Sequence, residues 1–278
     1  MTRFTMNCKG DLRVIEKPVV MGILNITPDS FYANSRMTNL EQAIQTAQEM
    51  IEAGAYLLDI GGQSTRPGSE AINEQAEMDR VLPIIQTLHL HFPETILSID
   101  TFSAAVAKQA VLNGASIVND ISGGNLDPNM LETVGSLGVP YVCMHMKGNF
   151  QSMHQMTDYS NLTTSILDYF IERIDACTRA GIKDVIIDPG FGFSKTMEQN
   201  YELLSNIQSL QLLQKPILAG LSRKSMIYKA LNINQNEALN GTTALNMVSL
   251  LKGASILRVH DVKEASQTIQ LFERLSQH

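Results

Sequence analysis

Short apolar runs and longer amphipathic segments alternate eight times along this chain, and few folds accept such a pattern. The runs read as buried strands at Val19 to Asn25, Tyr56 to Ile60, Thr95 to Asp100, Ile117 to Asp120, Pro140 to Met144, Val185 to Asp188, Pro216 to Ala219 and Ile256 to Val259. Helical periodicity lies between them. It is clearest over Leu40 to Ala53, Glu74 to His91, Ser103 to Asn113, Leu162 to Ala180, Glu198 to Leu213 and Asn236 to Lys252, and a last helix covers Val262 to Ser276. Gly54, Gly114, Gly181 and Gly253 stand just past helices, where a left-handed residue ends them. Eight βα units within 278 residues, with no linker and no shift in composition, predict one α/β domain: a closed (β/α)8 barrel of the TIM type. The alternative, a doubly wound open sheet, wants a glycine-rich dinucleotide turn after the first strand, and here that turn reads NITPDSF. Residues 2 to 17 precede the barrel as a small β-hairpin that turns at Lys9-Gly10-Asp11 and closes one end.

Charge and cysteine usage remove several classes of function. A formal charge of -7 leaves no basic surface for a nucleic acid backbone, so any phosphate contact must be a local pocket. Cys8, Cys143 and Cys177 are odd in number, far apart and without a CxxC pair, which predicts reduced thiols, buried or bystander, rather than a disulfide framework or a zinc knuckle. The N-terminus, MTRFTMNCKGDLR, has no apolar h-region, and the run at Val19 to Leu24 is too short to span a bilayer. A cytoplasmic protein without membrane contact is the expectation.

Barrel enzymes carry their sites at the carboxyl ends of the strands, so those ends belong together. Here they are Asn25, Asp59, Asp100, Asn119 with Asp120, His145, Asp188, Lys224 just past the seventh strand, and Arg258 with His260 on the eighth. Asp and Asn also cap helices, which accounts for some of these but not for Lys224, Arg258 or His260. Asp100, Asn119 and Asp188 can offer acceptors and donors to the edge of a flat, nitrogen-rich heterocycle. Arg258 and His260 are two apart on one strand and share a face; with Arg66 and the turn Ser222 to Ser225 they make an anion site. Gly220, before that turn, lets backbone come close to a ligand. The stretch Asp188 to Lys195 suits a mobile loop whose Phe191 or Phe193 covers an aromatic ligand, and equally a tight turn with packed aromatics. His145 and His154 flank a Met-rich loop at a spacing that fits no metal site, so they read as structural or loop histidines.

Seven stretches stand at barrel strand ends in order: Asn25-Ile-Thr-Pro-Asp-Ser-Phe31, Gly61-Gly-Gln-Ser-Thr-Arg-Pro-Gly68, Ser98-Ile-Asp-Thr101, Val118-Asn-Asp-Ile121, Asp188-Pro-Gly-Phe-Gly-Phe193, Ser222-Arg-Lys-Ser225 and Arg258-Val-His260. With them the chain resembles the dihydropteroate synthases from about Val19 to its C-terminus. That family implies a transferase, usually a homodimer. It joins 6-hydroxymethyl-7,8-dihydropterin pyrophosphate to 4-aminobenzoate, giving 7,8-dihydropteroate and pyrophosphate in folate synthesis. By motif, Asp100, Asn119, Asp188 and Lys224 would hold the pterin. Asn25, Arg66, Arg258 and His260 would surround the pyrophosphate, with Asn25 also near a magnesium ion (Mg2+). Thr65, Pro67, Phe193 and Ser225 would form the aminobenzoate pocket, which family members also offer to sulfonamides. Three departures fall in the loops: Tyr32-Ala-Asn-Ser-Arg36 in place of a Ser-Asp-Gly-Gly-like turn, Gln63 where Glu is common, and Ser194 where Gly is frequent.

The implied reaction needs a stabilised leaving group and a positioned amine, not a protein nucleophile, and no Ser/His/Asp or Cys/His arrangement stands out. Other readings remain on the residues alone. Paired carboxylates serve glycoside hydrolysis, but a chain without Trp lacks the usual sugar platform. Lys224 could form a Schiff base as in aldolases, which borohydride would trap, but that leaves Asp100, Asn119 and Asp188 without work. The pterin-binding domain of corrinoid methyltransferases is similar, and would need a cobalamin partner and no pyrophosphate site.

Overall fold

The structure is a computed structural model that describes residues 3–26, 36–64, 69–153 and 155–276. Two antiparallel strands come first, β1 (Phe4–Cys8) and β2 (Asp11–Ile15), joined by a tight turn in which Lys9 and Gly10 both have positive φ, 57° and 93°. The barrel then opens with β3 (Val19–Asn25), α1 (Arg36–Glu52), β4 (Ala55–Gly61), α2 (Glu74–His91), β5 (Ile96–Asp100) and α3 (Ala104–Leu112). It continues through β6 (Ile117–Asp120), α4 (Met130–Leu137), β7 (Tyr141–Met144), α5 (Leu162–Arg179), β8 (Val185–Asp188) and α6 (Met197–Asn206). The last elements are β9 (Leu218–Ala219), α7 (Ser225–Leu231), α8 (Leu239–Leu251), β10 (Ile256–Val259) and α9 (Val262–Leu275).

Strands β3 to β10 are all parallel, in the order β8-β7-β6-β5-β4-β3-β10-β9. The ring closes between β8 and β9 through one bridge, Ile187 to Ile217, with the Ile187 N–H donating to Pro216 O at 2.9 Å. This is the expected barrel, with three local differences. The seventh strand shrinks to Leu218–Ala219. The helix after β8 tightens at Asn206 and runs on as a 3-10 helix, Ile207–Leu213. Helix α4 carried no clear periodicity because it has only two turns and holds Gly135, whose missing side chain leaves room for Ala180 O.

Side chains along each strand alternate between two environments. Val20, Leu58, Leu97, Val118, Tyr141, Val185, Ala219 and Leu257 face the helices and form the large outer core with Ile85, Val106, Phe170 and Ile269. Their neighbours Met21, Leu57, Ile96, Ile117, Val142, Ile186, Leu218 and Ile256 face inward and fill the lower half of the barrel. The hairpin plugs that end: Met6, Cys8 and Ile15 are buried against the same residues, and Asp184 at the base of β8 accepts the Asn7 N–H at 2.8 Å. All three cysteines are free and buried. Among the described residues, no helix is long and apolar enough to cross a membrane.

The plug predicts an asymmetric response of the hairpin. Met6→Ala should lower stability to urea by about 2–4 kcal/mol, because the lower barrel cannot collapse onto the space left. Leu12→Ala, on the exposed face of the same hairpin, should change it by less than about 0.5 kcal/mol. Equal losses would mean that the hairpin does not seal the barrel.

Candidate active site

One register step above the apolar layer the barrel interior turns polar. The residues there are Asp59, Ser98, Asn119, Asp188 and Arg258, with Asn25, Asp100 and His260 at the rim. The pattern follows from the period of two: Leu57 leads to Asp59, Ile117 to Asn119, Ile186 to Asp188, Ile256 to Arg258. The same period separates Asn119 from Asp120. Asp120 points the other way, accepting from Tyr141 Oη at 2.6 Å and from the Ser122 and Gly124 N–H groups at 2.7 Å, so it organises a loop outside the site.

Arg258 lies at the centre of the polar layer. Its Nε donates to Asp59 Oδ2 at 2.6 Å and its Nη2 to Asp100 Oδ2 at 2.5 Å. Asn119 Nδ2 donates to the same Asp59 oxygen at 2.9 Å. Burial pushes the Asp100 carboxyl up to about 7 against the pull of Arg258, with Asp59, Glu77 and Asp120 adding to the rise. Arg258, buried yet flanked by Asp59 and Asp100, is held even more firmly protonated than usual. Asp59 stood among the strand ends without an assigned role. Its position two residues before Gly61, on the inward face, is the signal that places it here.

Lys224 and Asp188 form the opposite wall. Lys224 caps α7 with extended backbone, and its side chain runs back across the loop after β8. Gly192 makes that path possible: a Cβ there would sit 3.2 Å from Lys224 Cδ. The ammonium donates to Phe191 O and lies 4.8 Å from the centre of the Phe193 ring. Burial lowers Lys224 to about 8, opposed by Asp188. Asp188 accepts the Gly190 N–H at 2.8 Å, and burial raises its carboxyl although Lys224 draws it down. Gly220 borders both, since a Cβ on it would meet Asp188 Oδ2 at 3.8 Å and Lys224 Nζ at 4.0 Å.

The strand-eight pair and the Ser222 to Ser225 turn are laced together. Ser222 Oγ accepts the His260 N–H at 3.1 Å and lies 3.0 Å from Nδ1 of the same ring. The next residues form a forked ion pair, Arg223 Nε and Nη2 donating to Asp261 at 2.9 and 2.8 Å. Lys224 and His260 are therefore each one residue from a member of this fork. Ser225 is the first residue of α7, at the same edge of the mouth. Asn25 ends β3 opposite Gly61, and a Cβ on Gly61 would lie 3.8 Å from Asn25 Oδ1 and 3.6 Å from Asp100 Oδ2.

The loop after β8 separates its two phenylalanines. Phe191 is fully buried in the outer core, while Phe193 is half-buried at the mouth beside Lys224. His145 is structural: it packs edge-on against Tyr169 at 4.8 Å, and burial with Lys195 nearby pushes it down to about 2. Lys195 carried no sequence signal, yet its ammonium is buried beneath this loop. Thr65, Arg66, Pro67, residues 27–35 and His154 lie outside the described residues.

Three carboxylates and two cations thus line one mouth: Arg258 sits among the carboxylates of the floor, and Lys224 stands at the edge with His260 and the Ser222 to Ser225 turn. The floor favours a ligand rich in N–H donors and the edge an anion.

The profile of a family described as pterin binding enzyme matches residues 21–260. The chain is 39% identical to the dihydropteroate synthase of Escherichia coli (strain K12) over 261 residues, covering 93% of this chain and 92% of that one. It superposes on the Yersinia pestis dihydropteroate synthase in a sulfonamide drug complex with a TM-score of 0.91, at 40% identity over 99% of both chains. The Xanthomonas albilineans dihydropteroate synthase with 4-aminobenzoic acid gives a TM-score of 0.91 at 36% identity, again over 99% of both. A shared barrel, a shared length and about two residues in five in common, on top of the polar floor and cationic edge, carry one conclusion: the chain belongs to the dihydropteroate synthase family of pterin-binding enzymes.

Proposed function

We propose that the mouth of this barrel condenses 6-hydroxymethyl-7,8-dihydropterin pyrophosphate with 4-aminobenzoate, releasing pyrophosphate and 7,8-dihydropteroate. The observation that carries this reading is the joined set Asp59, Asp100, Asn119, Asp188, Lys224 and Arg258 at the ends of neighbouring strands, in a member of that family. Asp100 and Asp188 accept from the amino and ring N–H groups of the pterin, Asn119 both donates and accepts, and Lys224 donates to a ring acceptor. Arg258 braces Asp59 and Asp100 through two nitrogens and keeps Nη1 for the pyrophosphate. His260 takes the same anion, and the family's motif assigns Arg66 to it as well. Phe193 and Ser225, with Thr65 and Pro67, take the aminobenzoate.

Magnesium suits this mouth as a companion of the substrate. Among the described residues no three acidic, His or Cys side chains gather into a metal cage. Asn25 offers one amide oxygen at the rim, and Mg2+ commonly takes few protein oxygens alongside substrate phosphates and water. Bound so, the ion would neutralise charge on the departing pyrophosphate. The protein's own part is to fix the pterin methylene, keep the amine in line with it and stabilise positive charge on the pterin through Asp188. The family supplies two further expectations, a homodimer and a cytoplasmic location. Sulfonamides are expected to compete for the aminobenzoate pocket.

Pyrophosphate release from the dihydropterin pyrophosphate with magnesium, with and without 4-aminobenzoate, tests the reading directly. Release should depend on aminobenzoate, vanish in Lys224→Ala and fall by roughly a hundredfold or more in Asp188→Asn. Pterin binding without release would favour the methyltransferase-like alternative.

The pH profile gives a second test. Asp100 must be ionised to accept, which sets an acid limb of kcat/KM near 7, and Lys224 must be protonated to donate, which sets an alkaline limb near 8. The optimum should be narrow. Any activity left in Lys224→Arg should lack the alkaline limb, because arginine keeps its proton; an unchanged limb would assign it elsewhere.

A further inference from the structure

Ser194 stands where the family frequently has glycine, and its backbone shows why glycine suits the place. Its φ is 51°, in the left-handed region that penalises a side chain, and it is fully buried. From this buried position its hydroxyl bonds to a neighbouring loop. Ser194 Oγ accepts the Lys147 N–H at 2.8 Å and donates to Met153 O at 2.8 Å, while Ser194 N–H donates to Met153 O at 2.6 Å. Lys147 and Met153 belong to the loop after β7, and Ser194 to the loop after β8. One hydroxyl thus joins two loops of the mouth at two points.

The neighbouring residue braces the same loop from below. Lys195 Nζ donates to Gly190 O at 2.9 Å and Phe193 O at 3.0 Å, and lies 3.1 Å from His145 Nδ1. The buried amine thus has two backbone carbonyls and a ring nitrogen around it. Gly190 presses against the β7 end closely enough that a Cβ would lie 2.1 Å from His145 O. Between these anchors stands Phe193, which packs against the buried cluster of Ile121, Met144, Met146 and Met153. The apolar wall of the mouth is therefore made by both loops together, with Ser194 at their seam.

We propose that Ser194 is a positioning residue that couples the β7–α5 and β8–α6 loops into one body and so presets Phe193 as a wall of the aminobenzoate subsite. This rests on the function proposed above and deepens it. The hydroxyl touches neither substrate. Its effect reaches the amine partner through the placement of one ring, leaving the pterin floor of Asp100, Asn119 and Asp188 unaltered.

The test combines steady-state kinetics with amide hydrogen exchange on the full chain, comparing the wild type with Ser194→Gly and Ser194→Ala. Both variants remove the hydroxyl bridge and leave the backbone bond from position 194 to Met153 O; glycine also removes the strain, whereas alanine keeps it. In both, KM for 4-aminobenzoate should rise about five- to tenfold, while kcat and KM for the dihydropterin pyrophosphate stay within about twofold. Exchange should quicken over 145–153 and 189–196 together. An unchanged KM for aminobenzoate, an equal rise in both KM values, or faster exchange in 189–196 alone would overturn the proposal. A wild type that releases no pyrophosphate would refute the proposed reaction instead, and the exchange comparison would still decide whether the two loops move as one.

Discussion

A single guanidinium held between two carboxylates sets the character of this barrel. Arg258 reaches from β10 past β3 to Asp59 on β4 and Asp100 on β5, so three strands are tied through their interior side chains. Such a triad is a poor source of stability, since taking three charges out of water costs much of what their attraction returns. Breaking it is another matter: removing one partner from a buried pair costs about 3–5 kcal/mol because the other charge is stranded. Asp59 Oδ1 and the adjacent Ser98 Oγ add to the expense, being buried without hydrogen-bond partners among the described residues. A barrel filled only for stability would put Leu or Ile there.

The expense is carried by a division of labour along the strands. The lower half of the barrel is apolar and sealed by Met6, Cys8 and Ile15, and the outer layer packs against the helices. The inward polar side chains of the strands are gathered into the upper half, where burial shifts Asp100 and Asp188 up and Lys224 and Lys195 down. Both directions have one cause, the cost of charge in a dry place, and they bring acids and amines toward the same neutral range. Of these, Asp100, Asp188 and Lys224 line the mouth, where they can exchange hydrogen bonds with a heterocycle, whereas Lys195 gives its bonds to the loop.

Much of this was readable from the sequence because a strand has a period of two and a barrel has one open end. Four strands, Val19 to Asn25, Ile117 to Asp120, Val185 to Asp188 and Ile256 to Val259, appear with the bounds expected, and Asp100, Asn119, Asp188, Lys224 and Arg258 come together at one mouth. What the sequence left open depended on direction or on loops. Nothing in Asn119-Asp120 says which of the two faces inward until the register is known. Phe191 and Phe193 look alike in the chain, and only the turn between Gly190 and Gly192 sends one to the core and the other to the mouth. Lys195 was invisible because its partners are two backbone carbonyls and a histidine fifty residues away.

The closure of the sheet bears on what a ligand does to the enzyme itself. Between β8 and β9 a single bridge stands where the other neighbours share ladders, and Asp188 and Lys224 lie on opposite sides of that gap. Their attraction spans a seam that the backbone leaves almost unsewn. A molecule gripped by both would add a second tie across the seam that the backbone crosses at one bridge.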